Sequence, residues 1–399
     1  MFSFSLTDDQ QRLKDRARTF ARTIVAPRLK EMDRTNEYPW DVVRALADEG
    51  FMGLTIPKEY GGAGRPLIDA ILVSEEIAKV GGVIARIVVD ANTAVQKAIV
   101  ELGTQAQKRQ FLPPIVEGDK PVIAITEPEA GSAATWMTTN AVRDGDSYVV
   151  NGKKCWITGA GVSKRYLVFS RFDNRPGAEG IGALLVEAST PGLTVPRIPM
   201  MMGLRGMPEG EVSLVNCRVP ADNLLVGPGD GFKKLMRCYN LQRIGAASVA
   251  LGIAQGALDM AARYALERKQ FGHAIGDFQG IQWMLADMHM QMECSRLLVY
   301  RAATGGINGY PDKLEAAAAK VYAAEAAIQV TNQALQIFGA AGYSCDLPIE
   351  RMVRDARMFT IGGGTAQVQR NLIGKEVLKR AEAARALDSQ FESSRAAAA

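Results

Sequence analysis

Histidine is scarce in this chain. Its 399 residues include only His273 and His289, too few for a His-rich metal centre and badly placed for a Ser-His-Asp triad. Cysteine is scarce too: Cys155, Cys217, Cys238, Cys294 and Cys345 are an odd, scattered set with no C-x-x-C. That pattern argues against a disulfide framework or a zinc site and for a reducing compartment. Neither sign of charge dominates, since 47 Lys and Arg are interspersed among 43 Asp and Glu for a net charge of +4. No nucleic-acid or membrane partner is therefore expected. Long apolar runs are missing as well; none approaches the roughly 18–20 residues that span a bilayer. The opening MFSFSLTDDQ has no basic stretch ahead of an apolar one, so no signal peptide is expected. The default is a cytoplasmic enzyme.

What is present is a core. Hydrophobic residues make up 47% of the chain and charged ones 23%, which suits two or three globular domains at roughly 100–200 residues each. Residues 1–120 read as successive helices. Thr7 and Gln10 form a capping box, and Leu13, Ala17, Phe20, Ala21 and Ile24 follow at helical spacing until Pro27. A second helix spans Trp40 to Asp48, and Leu67 to Leu102 reads as one or two long apolar helices. From Pro121 the pattern changes to short β-branched runs such as VIAIT, YLVFSRF and IGALLVE, and Asn151-Gly152 carries a hairpin signal. Beyond Gly227-Pro228-Gly229 the helical period returns over 232–268, 277–303, 312–339 and 365–384, which predicts a four-helix bundle. The expected fold is α+β. A helical domain covers 1–120, a β-barrel-like middle domain 121–227, a helical bundle 228–385 and a flexible tail 386–399. The glycines at 227, 229 and 231 follow no strand of a βαβ unit, so no Rossmann domain is indicated.

Four separated segments carry a more specific pattern. They are Ala124-Ile125-Thr126-Glu127-Pro128-Glu129-Ala130-Gly131-Ser132, Trp156-Ile157-Thr158-Gly159, Arg268-Lys269-Gln270-Phe271-Gly272 with Phe278-Gln279, and Gln336-Ile337-Phe338-Gly339-Ala340-Ala341-Gly342-Tyr343 with Arg351 and Asp355. In this order they resemble the acyl-CoA dehydrogenase superfamily over nearly the whole chain. The resemblance implies FAD, an acyl-CoA substrate and a homotetramer built as a dimer of dimers. Ile125, Thr126, Gly131, Ser132, Trp156 and Thr158 would then line the flavin. Small residues let the backbone approach it, hydroxyls donate, and an indole can cover a ring face. Arg268 would bind the pyrophosphate from a neighbouring subunit, with Phe271, Gln279, Gln336 and Gly339 completing that shared site. Thr365 and Gln367 would contact the adenosine part. Asn240, Arg243 and Ser132 would lie by the substrate, Arg243 near its coenzyme A moiety. Taken singly, Trp156 is more often core and Arg268 a solvated charge; the joint pattern is what points to flavin.

The same resemblance exposes a gap. Dehydrogenases of this superfamily use a glutamate to remove the α-proton of the thioester, and a positioned base contributes typically ~10²–10⁴ in rate. Its usual seat holds Gly363 here, and the alternative seat before Arg243 holds Gln242. Neither is a base. Gly363 keeps its backbone N–H, which can help polarise the thioester carbonyl.

A second departure lies in Ile84-Ala85-Arg86-Ile87-Val88-Val89-Asp90, where Arg86 and Asp90 stand four apart on one helical face of an apolar segment. A surface ion pair is one reading. A buried arginine selecting an anionic acyl tail is the other, with Asp90 orienting it. The combination resembles the 3-sulfinopropionyl-CoA desulfinase branch of the superfamily, on Arg86 to Asp90, Gly131-Ser132-Ala133-Ala134, Tyr239 to Arg243 and Val353 to Ile361. That branch implies release of sulfite without net redox change, Arg86 holding the sulfinate and Gln242 beside the reacting carbons. Two other readings stand: a dehydrogenase of a dicarboxylic or cyclic acyl-CoA using Asp90 as base, and a non-catalytic flavin- or CoA-binding protein.

Overall fold

The structure, a computed structural model, describes residues 5–306 and 309–398, with side chains to residue 385. Helices come first: α1 Asp8–Phe20, α2 Leu29–Thr35, α3 Trp40–Asp48, α4 Leu67–Ala78, α5 Gly82–Asn92, α6 Ala94–Leu102, α7 Gln105–Phe111 and α8 Pro113–Val116. The capping box forms as expected. Gln10 N donates to Thr7 Oγ1 at 3.2 Å and Thr7 N to Gln10 Oε1 at 3.1 Å. Pro27 does not stop the chain there. A π turn over Ala21–Val25 and a 3₁₀ turn over Ala26–Arg28 carry it into α2, with Pro27 in the first turn, where a missing N–H costs nothing. The extra residue of the π turn moves the buried face by one position. Val25 is buried, while Ile24, expected inside, is exposed.

The stretch 67–102 forms three helices rather than one or two. Helix α4 ends at Ala78 and α5 is capped by Gly81, where a Cβ would lie 2.8 Å from Val25 Cγ1, and a Cβ on Gly82 would lie 2.6 Å from Ile253 Cδ1. Close helix packing fixes that break. The second comes at Thr93, whose φ of −124° and ψ of −111° lie outside the helical region.

The middle of the chain builds an eight-stranded sheet: β1 Val122–Ala124, β2 Asn140–Asp144, β3 Ser147–Thr158, β4 Arg165–Phe172, β5 Ile181–Glu187, β6 Leu193–Arg197, β7 Glu209–Pro220 and β8 Leu224–Val226. Their order is β6-β7-β3-β2-β4-β5-β8, with β1 alongside β4. That path has two ends, so the barrel-like domain is a sheet whose hydrogen-bonded path stays open. Asn151-Gly152 is not a hairpin turn. β3 runs through it with a register shift between Val150 and Gly152, and the β2–β3 turn falls at Gly145, with φ +61°. A Cβ on Gly152 would lie 2.3 Å from Thr139 Oγ1, so this glycine serves a close approach instead.

The bundle follows as α9 Gly231–Glu267, α10 Gln279–Thr304, α11 Lys313–Phe338, the short α12 Ile349–Arg357 and α13 Ala366–Ala398. A two-strand ribbon, β9 Lys269–Gln270 and β10 His273–Ala274, links α9 to α10. Helix α9 is long and apolar enough by composition to cross a membrane, although the sequence showed no such run. Its most apolar window is 83% buried inside the fold. The backbone of α13 stays helical to Ala398; the tail expected over 386–399 falls where side chains are not described. One apolar core joins the N-terminal helices to α9 and α11, a second fills the sheet, and a third lies between α4, α9, α10 and α11. Where α5, the sheet and α9 meet, the core gives way to charge.

Candidate active site

Arg86 and Asp90 both project from α5 into that junction. Arg86 keeps 12% of its side-chain surface exposed and Asp90 8%, which removes the surface ion-pair reading. The Nε of Arg86 donates to Asp90 Oδ1 at 3.1 Å, and its Nη2 lies 3.4 Å from Thr158 Oγ1 at the end of β3. Lys120, just ahead of β1, meets Asp90 Oδ2 at 3.0 Å and donates to the Thr158 carbonyl at 2.9 Å. Gln242 on α9 donates its Nε2 to Asp90 Oδ1 at 2.6 Å, and Thr93 Oγ1 donates to its Oε1. Both ends of the Gln242 amide are thereby fixed. Burial works against the Asp90 charge, but Arg86 and Lys120 outweigh it and hold the carboxyl below its ordinary 3.8. Burial likewise opposes the charge of Arg86, and Asp90 and Glu209 outweigh it, raising its pKa.

Glu209, at the start of β7, faces the same point. Thr158 Oγ1 lies 2.8 Å from each of its carboxylate oxygens. Burial pushes this carboxyl up to about 6, partly offset by Arg86 and the Thr158 hydroxyl. Gly159, with φ +91°, closes the corner, because a Cβ there would lie 2.8 Å from Lys120 Nζ.

A second cluster lies on α9 and α11. Arg243, 9% exposed, donates to Asn240 Oδ1 at 2.6 Å, and its guanidinium carbon sits 5.6 Å from the Tyr239 ring centroid. Its Nε is buried and has no hydrogen-bond partner among the described residues. Lys320, fully buried, donates to the Gly364 carbonyl at 2.6 Å. Burial, aided by the charge of Arg243, pushes Lys320 down to about 8. Gly363 adopts φ +75°, and its nearest neighbour to a Cβ would be Lys320 Cε at 3.9 Å. The loop with the empty base seat is thus tied to Lys320, which feels the charge of the arginine expected near coenzyme A.

The expected flavin residues divide into two groups. Ile125 and Thr126 lie against β3: Cys155 N donates to Thr126 O at 2.9 Å, and Lys154 Nζ to Ile125 O at 3.0 Å. Lys154 also pairs with Glu127 at 2.9 Å, and Glu127 accepts from Thr138 N at 2.6 Å and Thr139 N at 2.9 Å. This buried pair pins the loop that leaves Gly131 and Ser132 exposed. A register shift between Lys154 and Ile157 puts Trp156 at φ +57°, with its indole 58% exposed between two buried neighbours. An uncovered indole, a small-residue loop and the Thr158 hydroxyl suit a flat ring with a polar edge. Thr365 Oγ1 accepts from Val368 N at 3.2 Å as the cap of α13, and Gln367, the second residue of that helix, is exposed.

The other group lies apart. Arg268 caps α9, Phe271 is 90% exposed on the β9–β10 ribbon at φ +52°, Gln279 starts α10, and Gln336 and Gly339 end α11. Among the described residues, no hydrogen bond, ion pair or ring contact joins these five to the first group. Sequence reasoning missed Lys120, Glu209, Thr93 and Lys320. Neither Glu209, in a strand that also carries Glu211, Asn216 and Arg218, nor Lys120 gave a local signal.

Family models for the N-terminal, middle and C-terminal domains of acyl-CoA dehydrogenases match residues 7–119, 122–217 and 229–378. The chain belongs to the acyl-CoA dehydrogenase family. Among curated relatives, the 3-sulfinopropanoyl-CoA desulfinase of Paraburkholderia xenovorans (strain LB400) is 49% identical, over 95% of this chain and 100% of the relative. The protein of the same name from Cupriavidus necator is 48% identical, over 94% and 96%. Butyryl-CoA dehydrogenase from Megasphaera elsdenii superposes with a TM-score of 0.92 at 38% identity, over 94% of this chain and 100% of that one. Within this acyl-CoA dehydrogenase fold, Arg86, Asp90, Lys120 and Glu209 form a buried charge cluster beside Thr158.

Proposed function

We propose that the chain, loaded with FAD, hydrolyses 3-sulfinopropanoyl-CoA to propanoyl-CoA and sulfite. The reading is carried by the presentation of Arg86. Its Nε is spent on Asp90, while among the described residues Nη1 and Nη2 have only weak partners, Met358 Sδ at 3.9 Å and Thr158 at 3.4 Å. Two parallel N–H groups with weak partners suit a sulfinate or carboxylate. Gly363 and Gln242 leave both base seats without a proton acceptor, which C–S cleavage tolerates. In that hydrolysis the C–S bond breaks, carbon takes a proton from water, and sulfur takes the hydroxyl, with no net redox change.

The names of the desulfinase relatives support the same reading. A dehydrogenase using Asp90 as base gains nothing from the geometry, because two hydrogen-bond donors and the nearby Lys120 charge hold that carboxylate in its charged form. FAD would rest on Ile125, Thr126, Gly131, Ser132, Trp156 and Thr158, with Thr365 and Gln367 near its adenosine end. It supplies a planar wall to the acyl pocket. Arg268, Phe271, Gln279, Gln336 and Gly339 would complete the site of a neighbouring copy, in a tetramer built from two dimers. The lack of any hydrogen bond, ion pair or ring contact with the first group among the described residues supports this, as does the exposed apolar line Trp283, Met290 and Leu297 on α10.

The purified protein should release sulfite from 3-sulfinopropanoyl-CoA with matching propanoyl-CoA. Absence of sulfite would remove the reading.

A further inference from the structure

Glu209 has no part in the activity as read so far, yet it is the worst-served charge in the cluster. Asp90 has Arg86 and Gln242 on one oxygen and Lys120 near the other. Glu209 is in no ion pair among the described residues, and its hydrogen-bond partner is Thr158, at 2.8 Å from each oxygen. One hydroxyl proton cannot serve both oxygens at once.

The groups that face Glu209 are Arg86 and Asp90 from α5, Lys120 from the loop before β1, Thr158 from β3 and Tyr239 from α9. Burial keeps the Tyr239 phenol neutral. With Glu209 ionised, two cations therefore balance two carboxylates. An anionic acyl tail added beside Arg86 would leave one uncompensated negative charge in a largely dehydrated space, which is costly.

We propose that Glu209 takes up a proton when an anionic acyl tail docks against Arg86. The site then holds its substrate with a neutral carboxyl behind a guanidinium opposed by Asp90 alone. Protonated Glu209 donates to Thr158 Oγ1, and the Thr158 hydroxyl turns its own proton towards the anion. Glu209 is a positioning residue that acts through Thr158, and it makes tail recognition dependent on pH. Burial has already raised its carboxyl to about 6, and one more nearby anion raises it further. The inference rests on Arg86 being the anion seat.

The test is calorimetric titration of the flavin-loaded protein with succinyl-CoA, whose carboxylate tail cannot be desulfinated. Titrations at pH 7 in phosphate and in Tris separate proton uptake from binding heat. The wild type should take up most of one proton per site, butyryl-CoA none, and Glu209→Gln none with succinyl-CoA. Glu209→Asp should retain the uptake. The KM for 3-sulfinopropanoyl-CoA should rise up to about tenfold per pH unit above the Glu209 pKa in the wild type and stay flat in Glu209→Gln. Equal uptake in wild type and Glu209→Gln overturns the inference. So does wild-type binding without uptake, a measurement that stands even if Glu209→Gln fails to fold. Failure of succinyl-CoA to bind also overturns it, by removing the anion seat. Sulfite release without proton uptake sinks this inference alone; proton uptake without sulfite release sinks only the desulfinase reading.

Discussion

Arg86 and Asp90 sit one helical turn apart on α5, and the 3.1 Å bond between them uses Nε rather than the paired terminal nitrogens of the guanidinium. The carboxylate holds the arginine from the side, which fixes the plane of the guanidinium and leaves its fork facing Thr158. Lys120, at 3.0 Å, meets the other Asp90 oxygen, so Asp90 orients Arg86 without claiming its whole charge.

Arg86→Lys tests that orientation. An ammonium cannot bind an anion through two parallel N–H bonds. Losing one partner of a desolvated charge pair costs roughly 2–5 kcal/mol, or about 30-fold or more in affinity or rate. The variant should fold and bind FAD normally while sulfite release falls by at least that factor. Near-wild-type release would reduce Arg86 to a structural charge.

Asp90→Asn should cost stability instead. It leaves Arg86 and Lys120 buried without their shared anion, a loss of roughly 3–5 kcal/mol. The folded-state pKa of Asp90 is below its ordinary 3.8, so its contribution is present above that value and lost as pH falls through the folded pKa. The gap in melting temperature between wild type and variant should be full at pH 7 and should close only below about pH 4. A gap that does not change with pH would mean that the contribution is packing, not charge.

Gly363→Glu refills the vacant base seat. The space allows it, since the nearest atom to a Cβ is Lys320 Cε at 3.9 Å, but φ +75° strains any side chain. A loss of about 1–2 kcal/mol in stability is expected. Anaerobic butyryl-CoA should leave the wild-type flavin oxidised and bleach it in the variant, since a base contributes ~10²–10⁴. Rapid bleaching of the wild type would reveal another base.

Lys154→Met addresses the cofactor loop. Lys154 is fully buried between Ile125 O and Glu127, and removing it strands the Glu127 carboxylate that holds Thr138 and Thr139. Flavin affinity should fall along with stability, by roughly 3–5 kcal/mol in the latter. Unchanged retention of FAD on gel filtration would separate the pair from the loop.

Much of this was legible in sequence because it is local. Helical spacing placed Arg86 and Asp90 on one face, and the four bundle segments fall within a residue or two of α9, α10, α11 and the start of α13. Local signals failed where a neighbour decided the outcome. Asn151-Gly152 would turn in isolation, but pairing of β3 with β7 carries the strand through it. Pro27 would end a helix, but the π turn before it resets the register. Lys120 and Glu209 were invisible for the same reason: they lie 30 and 119 positions beyond Asp90 and meet it only when α5 packs on the sheet.

The most direct measurement mixes the flavin-loaded protein anaerobically with 3-sulfinopropanoyl-CoA while following flavin absorbance and sulfite together. The account predicts stoichiometric sulfite and propanoyl-CoA, with the flavin oxidised at the end and no electron acceptor required. A bleached flavin with an enoyl-CoA product and no sulfite would contradict it.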